Sequence, residues 1–250
     1  LKKRSESPRI QPLELVDIVA GNDSNALGYK DTAQNRAYIS LKDAVLAGHF
    51  LPGSIVTLRR LSEMLGTSEM PVREAVKRLT AEGAFEALPN RSARIPKPSR
   101  RKILQILDLR IDLEGKAAEQ ATENISKRQI DELLSLRAKM DERLAAGDTL
   151  AYTAFNKDFH FLIYKTAQNE PLLKLIETLW LSMAPLLGAM IRISMTRPIL
   201  QFRAGRTGHD KLIKAFQDRD PAAVKLAMQA ELFAPEELPD YWDALDIAES

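Results

Sequence analysis

The chain has 250 residues, 45% hydrophobic and 28% charged with a net charge of +2, the profile of a globular protein with enough apolar material for a real core. It has no cysteine, which excludes a disulfide framework, a thiolate zinc site and a cysteine nucleophile, and is compatible with the reducing cytoplasm where the protein is expected. The longest apolar stretch, LWLSMAPLLGAMI, is short and broken by Pro185, and the basic start LKKRSESPR has no apolar run behind it, so neither a membrane span nor a secretory signal is expected.

Residues 1–35 read as a polar, irregular extension, with GNDSN and LGYKDT as loop. From Asn35 the pattern becomes helical: in NRAYISLKDAVLAGHFLPG, Ile39, Leu41, Ala44 and Val45 share a face, and Gly48 stops the run. LRRLSEMLG is a second, short helix closed by Gly66. Ser68 is placed to cap a third helix, and Pro71 falls in its first turn, where a missing N–H costs nothing. Val72, Ala75, Val76 and Leu79 follow at i, i+3, i+4 and i+7 as its buried face, and Gly83 ends it. AFEAL, a PNRS turn and ARIP then read as a β-hairpin. Helix, helix, tight turn, helix, hairpin is the order of a winged helix-turn-helix.

PKPSRR reads as a linker, and everything after it as helix. Ser126 with Gln129 forms a capping box, and Asp148 caps the helix that follows. The expected fold class is therefore mainly α: an extension over 1–35, a winged helix-turn-helix over 36–98, and an antiparallel bundle of six or seven helices over 99–250. Charge is unevenly spread along this layout. Residues 87–107 hold six basic residues (Arg91, Arg94, Lys97, Arg100, Arg101, Lys102) and no acidic one, while the chain after Lys225 holds seven acidic residues and no basic one. One part of the molecule is suited to attract phosphate and the far end to repel it, although ordinary solvated charge would look the same.

In a helix-turn-helix the tip of the third helix meets base edges while cations and backbone N–H groups hold phosphate. That assigns Ser68, Glu69 and Met70 to the tip and Arg73 and Lys77 to the outward face. Arg59 opens the second helix, and Arg91 and Arg94 lie on the wing, so the expected partner is a double-stranded DNA operator. LPGS, RRLSEMLGTSEMPVREAVKRLTAEG and PNRSA resemble the DNA-binding domain of the GntR family of bacterial regulators. Glu69 stands where that family commonly has an Arg, and Ser92 where its wing commonly has Gly, so the resemblance implies an unusual operator.

Three histidines are present. His49 ends the first helix and reads as structural or exposed. Asn156 and His160 sit one turn apart, on the flank of the stripe formed by Tyr152, Phe155, Phe159, Leu162 and Ile163. His209 falls between Leu212, Ile213 and Phe216, and Glu231 in the middle of Val224, Ala227, Met228 and Leu232. A carboxylate aimed into a helical core needs a partner. Asn156, His160, His209 and Glu231 make a mixed N/O set for a divalent metal such as zinc, nickel or manganese; the competing reading is that each His is a satisfied core residue.

The helical part resembles the FCD ligand-sensing domain of FadR-type GntR regulators over roughly residues 103–235, through LRIDLEGKAAEQA, NKDFHFLIYKTAQN and GHDKLIKAFQDRDPAAVKLAMQAEL. Metal-binding members carry an Asp, a His four residues later and two further His. Here His160 and His209 fit, Asn156 replaces the Asp and Glu231 the last His. The resemblance also implies an effector-binding Arg at Arg110, for which the alternative is an ion pair with Glu114 at i+4; Arg203 and Arg206, which precede His209 in the sequence, are further candidates for a carboxylate. The expected protein is a non-enzymatic, homodimeric, ligand-responsive transcription regulator, acting as a repressor. A metal-dependent enzyme on the two-His/Glu set and a dimeric DNA binder that has lost sensing are the alternatives.

Overall fold

The computed structural model describes residues 32–196, 203–232 and 239–249. Most of the extension expected over 1–35 lies outside the described residues. The N-terminal head comprises α1 (Ala33–Leu46), β1 (Ile55–Thr57), α2 (Leu58–Met64), α3 (Glu69–Ala81), β2 (Glu86–Leu88) and β3 (Ser92–Arg94). Thr32 caps α1 and Thr57 caps α2, each side chain accepting the backbone N–H three residues on. Ser68 occupies the N-cap of α3 as expected, but its side chain makes no capping bond. Its hydroxyl stays exposed at the helix tip.

The hairpin of β2 and β3 forms, and β1 joins it to give an antiparallel sheet in the order β1-β3-β2, with Val56 opposite Ala93. The sequence reading missed β1, which at three residues is too short to show alternation. Asn90 and Arg91 both take positive φ, 62° and 57°, as a tight hairpin turn whose twist matches the strands requires. The Arg91 carbonyl accepts the Leu58 N–H at 3.0 Å, tying the wing tip to the start of α2. Beneath lie Leu41, Val45, Leu61, Val72, Leu79 and the edge-to-face pair Phe50–Phe85.

The second part comprises α4 (Arg100–Asn124), α5 (Lys127–Ala145), α6 (Thr149–Thr166), α7 (Glu170–Thr196), α8 (Arg203–Gln217), α9 (Pro221–Glu231) and the single turn α10 (Pro239–Trp242). The capping box of Ser126 and Gln129 and the Asp148 cap are both present. α4 packs on α6, α7 and α9, α5 on α6, and α8 on α9. Pro185 does not interrupt the chain as expected: α7 runs through it for 27 residues. By length and composition 170–194 could cross a membrane, and most of it is buried in the protein.

α7 also carries the head. Lys42 of α1 pairs with Glu177 at 2.6 Å, and Arg192 donates to the Gly48 carbonyl at 3.3 Å. Gly48, at φ 71°, and Gly188 meet so closely that a Cβ on Gly188 would lie 3.0 Å from the Gly48 Cα. The acidic C-terminus is not an opposite pole to the basic stretch. It folds back on it, with Lys97–Asp246 at 2.9 Å, Arg100–Glu249 at 3.4 Å and the Arg100 N–H donating to the Ala248 carbonyl at 2.9 Å. Tyr241, Trp242 and Ile247 complete a small core with Ile103, Ile106 and Leu107.

Candidate DNA-reading face and metal centre

On α3, Pro71, Val72, Ala75, Val76 and Leu79 are buried and Arg73 and Lys77 are exposed, the two-faced helix that the spacing predicts. Met70 is 63% exposed, an apolar side chain left open at the tip beside Ser68. The surrounding cations are engaged within the chain. Arg59 pairs with Glu63 at 3.0 Å and Arg94 with Glu86 at 2.7 Å. Glu69 faces Arg91 across from the wing at 3.7 Å. Its carboxylate therefore has a cationic partner in the wing as well as a favourable place at the N-terminus of α3.

Among the described residues, one group of side chains is arranged to hold a metal: His160, His209 and Glu231, all buried, with ligand atoms within 4.8 Å of one another. α6 supplies Asn156, His160 and Tyr164 at i, i+4 and i+8, a second buried row beside the apolar stripe. α8 supplies His209 and α9 supplies Glu231. His209 Nδ1 lies 3.2 Å from Glu231 Oε1, and its Nε2 3.0 Å from Asn156 Oδ1. Phe159 stacks edge-on to His209 with ring centres 4.6 Å apart, and Trp180 covers His160.

Burial, then His209 and Arg110, holds the His160 pKa well below the usual imidazole range, so the ring is neutral at pH 7 and carries a free lone pair. Burial pushes Glu231 well above the usual carboxylate range, against the pull of Arg137. Its Oε2 is buried and without a hydrogen-bond partner. Two imidazoles and the Glu231 carboxyl group, one of whose oxygens is orphaned, form a donor set that a divalent cation fits. The fit depends on Gly208, where any Cβ would stand 1.9 Å from Glu231 Oε2.

Arg110 lies beside this centre and is already paired. Its Nε donates to Glu114 Oε1 at 2.6 Å within the core, the i+4 pair that the sequence offered as the alternative. Glu114 also accepts from Trp180 Nε1 at 3.0 Å and from the Tyr164 hydroxyl. The roles of Tyr164 and Trp180 were missed. Tyr164, four residues after His160, was within reach of a spacing argument, whereas Trp180 belongs to another helix and no local pattern points to it. Arg203 and Arg206 fall in the first turns of α8, and their side chains lie outside the described ones. His49 is half-buried, and burial, then Arg192 and Lys157, lowers its pKa.

The FCD domain family matches residues 105–233, and the family described as bacterial regulatory proteins, gntR family, matches 33–95. The chain belongs to the GntR family of transcriptional regulators, in its FCD-domain branch. It is 32% identical over 145 residues to the HTH-type transcriptional regulator McbR of Escherichia coli, a match covering 58% of this chain and 66% of that one, just under two thirds. It is 25% identical over 196 residues to a probable D-xylose utilization operon transcriptional repressor of Paenarthrobacter nicotinovorans, covering 78% and 83% of the two chains. The solved structure of E. coli McbR/YncC superposes with a TM-score of 0.72 at 24% identity, covering 87% of this chain and 98% of that one. A putative GntR regulator from Rhodococcus sp. RHA1 superposes at 0.59 and 19% identity, covering 85% and 95%. Both likenesses are of the fold. All the relatives named here are regulators, and none lends support to the enzyme reading.

Proposed function

We propose that this GntR/FCD regulator is a cytoplasmic homodimeric repressor whose head, over 36–98, reads a DNA operator and whose bundle, over 99–250, senses a small carboxylic acid. The observation that carries this reading is the placement of α7. The helix meets the polar centre through Trp180, which donates to Glu114, and meets the head through Glu177, Gly188 and Arg192. A ligand that repositions the centre therefore has a rigid lever onto the head. Two heads in a two-fold dimer read paired half-sites, so a small change in their spacing changes operator affinity.

In this reading Ser68, Glu69 and Met70 meet base edges, while Arg59, Arg73, Lys77, Arg91 and Arg94 face phosphate or groove. His160, His209 and Glu231 would hold a divalent zinc, nickel or manganese ion, with Asn156 an added oxygen donor. A cation there supplies a Lewis-acid site for a carboxylate oxygen. Arg110, with Arg203 and Arg206, would serve the rest of the effector; for Arg110 this means exchanging Glu114 for the ligand's carboxylate. No catalytic step is assigned to any of these residues.

The test is DNA binding by fluorescence anisotropy across a salt series, with metal-loaded and chelated protein, with and without small carboxylic acids. The reading expects salt-dependent, sequence-selective binding that weakens with one class of acid. A second reading, a DNA-binding dimer without an effector, is favoured by the saturation of Arg110 by Glu114. It predicts that no acid and no metal changes either the melting temperature or operator affinity.

A further inference from the structure

The buried polar centre contains a chain of contacts that runs away from the metal ligands and ends on a fixed ion pair. The Tyr164 hydroxyl is the link. It touches Glu114 Oε2 on one side and lies 3.2 Å from His160 Nδ1 on the other. A hydroxyl has one proton to donate. Both oxygens of Glu114 already face donors, the Arg110 guanidinium and the Trp180 N–H, so the hydroxyl proton goes to Glu114. The phenol oxygen then meets His160 with a lone pair. Nδ1 lies there within hydrogen-bond distance, which is favourable only when Nδ1 carries the imidazole proton.

We propose that Tyr164, anchored by Glu114, is a positioning residue that fixes the His160 proton on Nδ1 and so leaves Nε2 as the nitrogen offered to a divalent metal. The inference rests on the metal reading above for its consequence, but not for the proton placement itself. All the participants are buried: Arg110, Glu114, His160, Tyr164 and Trp180 lie at 4% exposure or less, so bulk water does not compete for these bonds. The arrangement spans three helices, since Glu114 is on α4, Tyr164 and His160 on α6, and Trp180 on α7. Ligand imidazoles at metal centres commonly depend on such a partner for their second nitrogen. Here the partner accepts, through a phenol whose own proton is committed elsewhere. This also gives the Arg110–Glu114 pair a purpose other than effector capture: it holds the Glu114 oxygens in place against the Tyr164 hydroxyl.

The test uses the full chain labelled with 15N-histidine, in which only three imidazoles contribute. Long-range 1H–15N NMR of the chelated wild type should find His160 protonated on Nδ1 alone. Tyr164→Phe, which keeps the ring and removes the hydroxyl, should move the proton to Nε2 or to a mixture of both sites. Zinc affinity, measured by competition with a chromophoric chelator, should fall about 10- to 100-fold in the same variant. A wild-type His160 protonated on Nε2, or a variant whose tautomer and zinc affinity match the wild type, overturns the proposal. If the wild type takes up neither zinc nor nickel, the metal reading falls, and the tautomer change on Tyr164→Phe still decides whether Tyr164 sets the His160 proton.

Discussion

Glu231 and Gly208 form a matched pair. A carboxylate inside a helical core needs both a partner and room, and Gly208 supplies the room. In a helix interior Gly→Ala ordinarily stabilises by about 1 kcal/mol. Gly208→Ala should fail to show this gain, because its Cβ must displace the Glu231 carboxylate from His209. In a Glu231→Ala background the same substitution should recover it; urea denaturation of the four proteins of the cycle measures the coupling. The pH response follows from the same side chains. With its folded pKa depressed, His160 contributes stability that is present above the unfolded value of about 6.5 and lost as pH falls below it. With its folded pKa raised, Glu231 acts in the opposite sense: its contribution is present below the ordinary carboxylate value and lost as pH rises toward the folded one. The two contributions oppose each other as pH falls from 7 to 5.5, so in chelated protein His160→Gln, which removes only the acid-sensitive one, should lose less stability over that range than the wild type, read by urea denaturation at each pH. Inward placement of His209 and Glu231 was legible from periodicity. Their mutual contact was not, because it joins two helices whose packing no local pattern encodes.

Among the elements, α3 was the most legible. A proline in the first turn, one clean apolar row and a closing glycine are local signals, and each is present. β1 was not legible, since three residues carry no period and its existence depends on the hairpin beside it. Nor was the course of α7 through Pro185, where packing of the flanking turns outweighs the lost hydrogen bond. The wing and α3 together change what Glu69 means. The sequence places Glu69 at the base-reading tip, where a carboxylate can accept from a cytosine amine or simply repel phosphate. The structure adds a pairing with Arg91 at 3.7 Å, so one wing cation already has an anionic neighbour in the free protein. An exposed pair of this kind contributes little to stability. Glu69→Gln should leave the melting temperature nearly unchanged, tighten DNA binding, and steepen the salt dependence by about one counterion, as anisotropy across a salt series would register. Glu69→Arg should in addition change the preferred sequence. A variant that gains equally on every sequence would make Glu69 repulsive only.

At the scale of the whole molecule, the head and bundle meet through very small side chains. Gly48 and Gly188 allow α1 and α7 to touch, with Lys42–Glu177 and Arg192 to the Gly48 carbonyl on either side. The linker at 96–99, itself held by the folded-back acidic tail, is a second crossing between the parts, and Lys157 of α6 reaching Asp43 of α1 at 3.8 Å is a third. Sequence composition revealed the two charged segments but placed them at opposite poles, because charge counting carries no information about where a chain returns. Gly188→Ala would put a Cβ 3.0 Å from the Gly48 Cα, against backbone that has no rotamer to turn aside. α1 and α7 must then separate by a few tenths of an ångström, while the polar centre stays intact. The expected outcome is zinc affinity close to wild type, operator affinity changed several-fold, and a weaker effect of effector on DNA binding. Zinc competition and anisotropy on the same preparation separate these quantities. A variant that keeps full coupling would shift the route of communication to the linker and its tail or to the Lys157–Asp43 contact, and deletion of residues 239–250 set against Lys157→Ala would tell which of the two carries it.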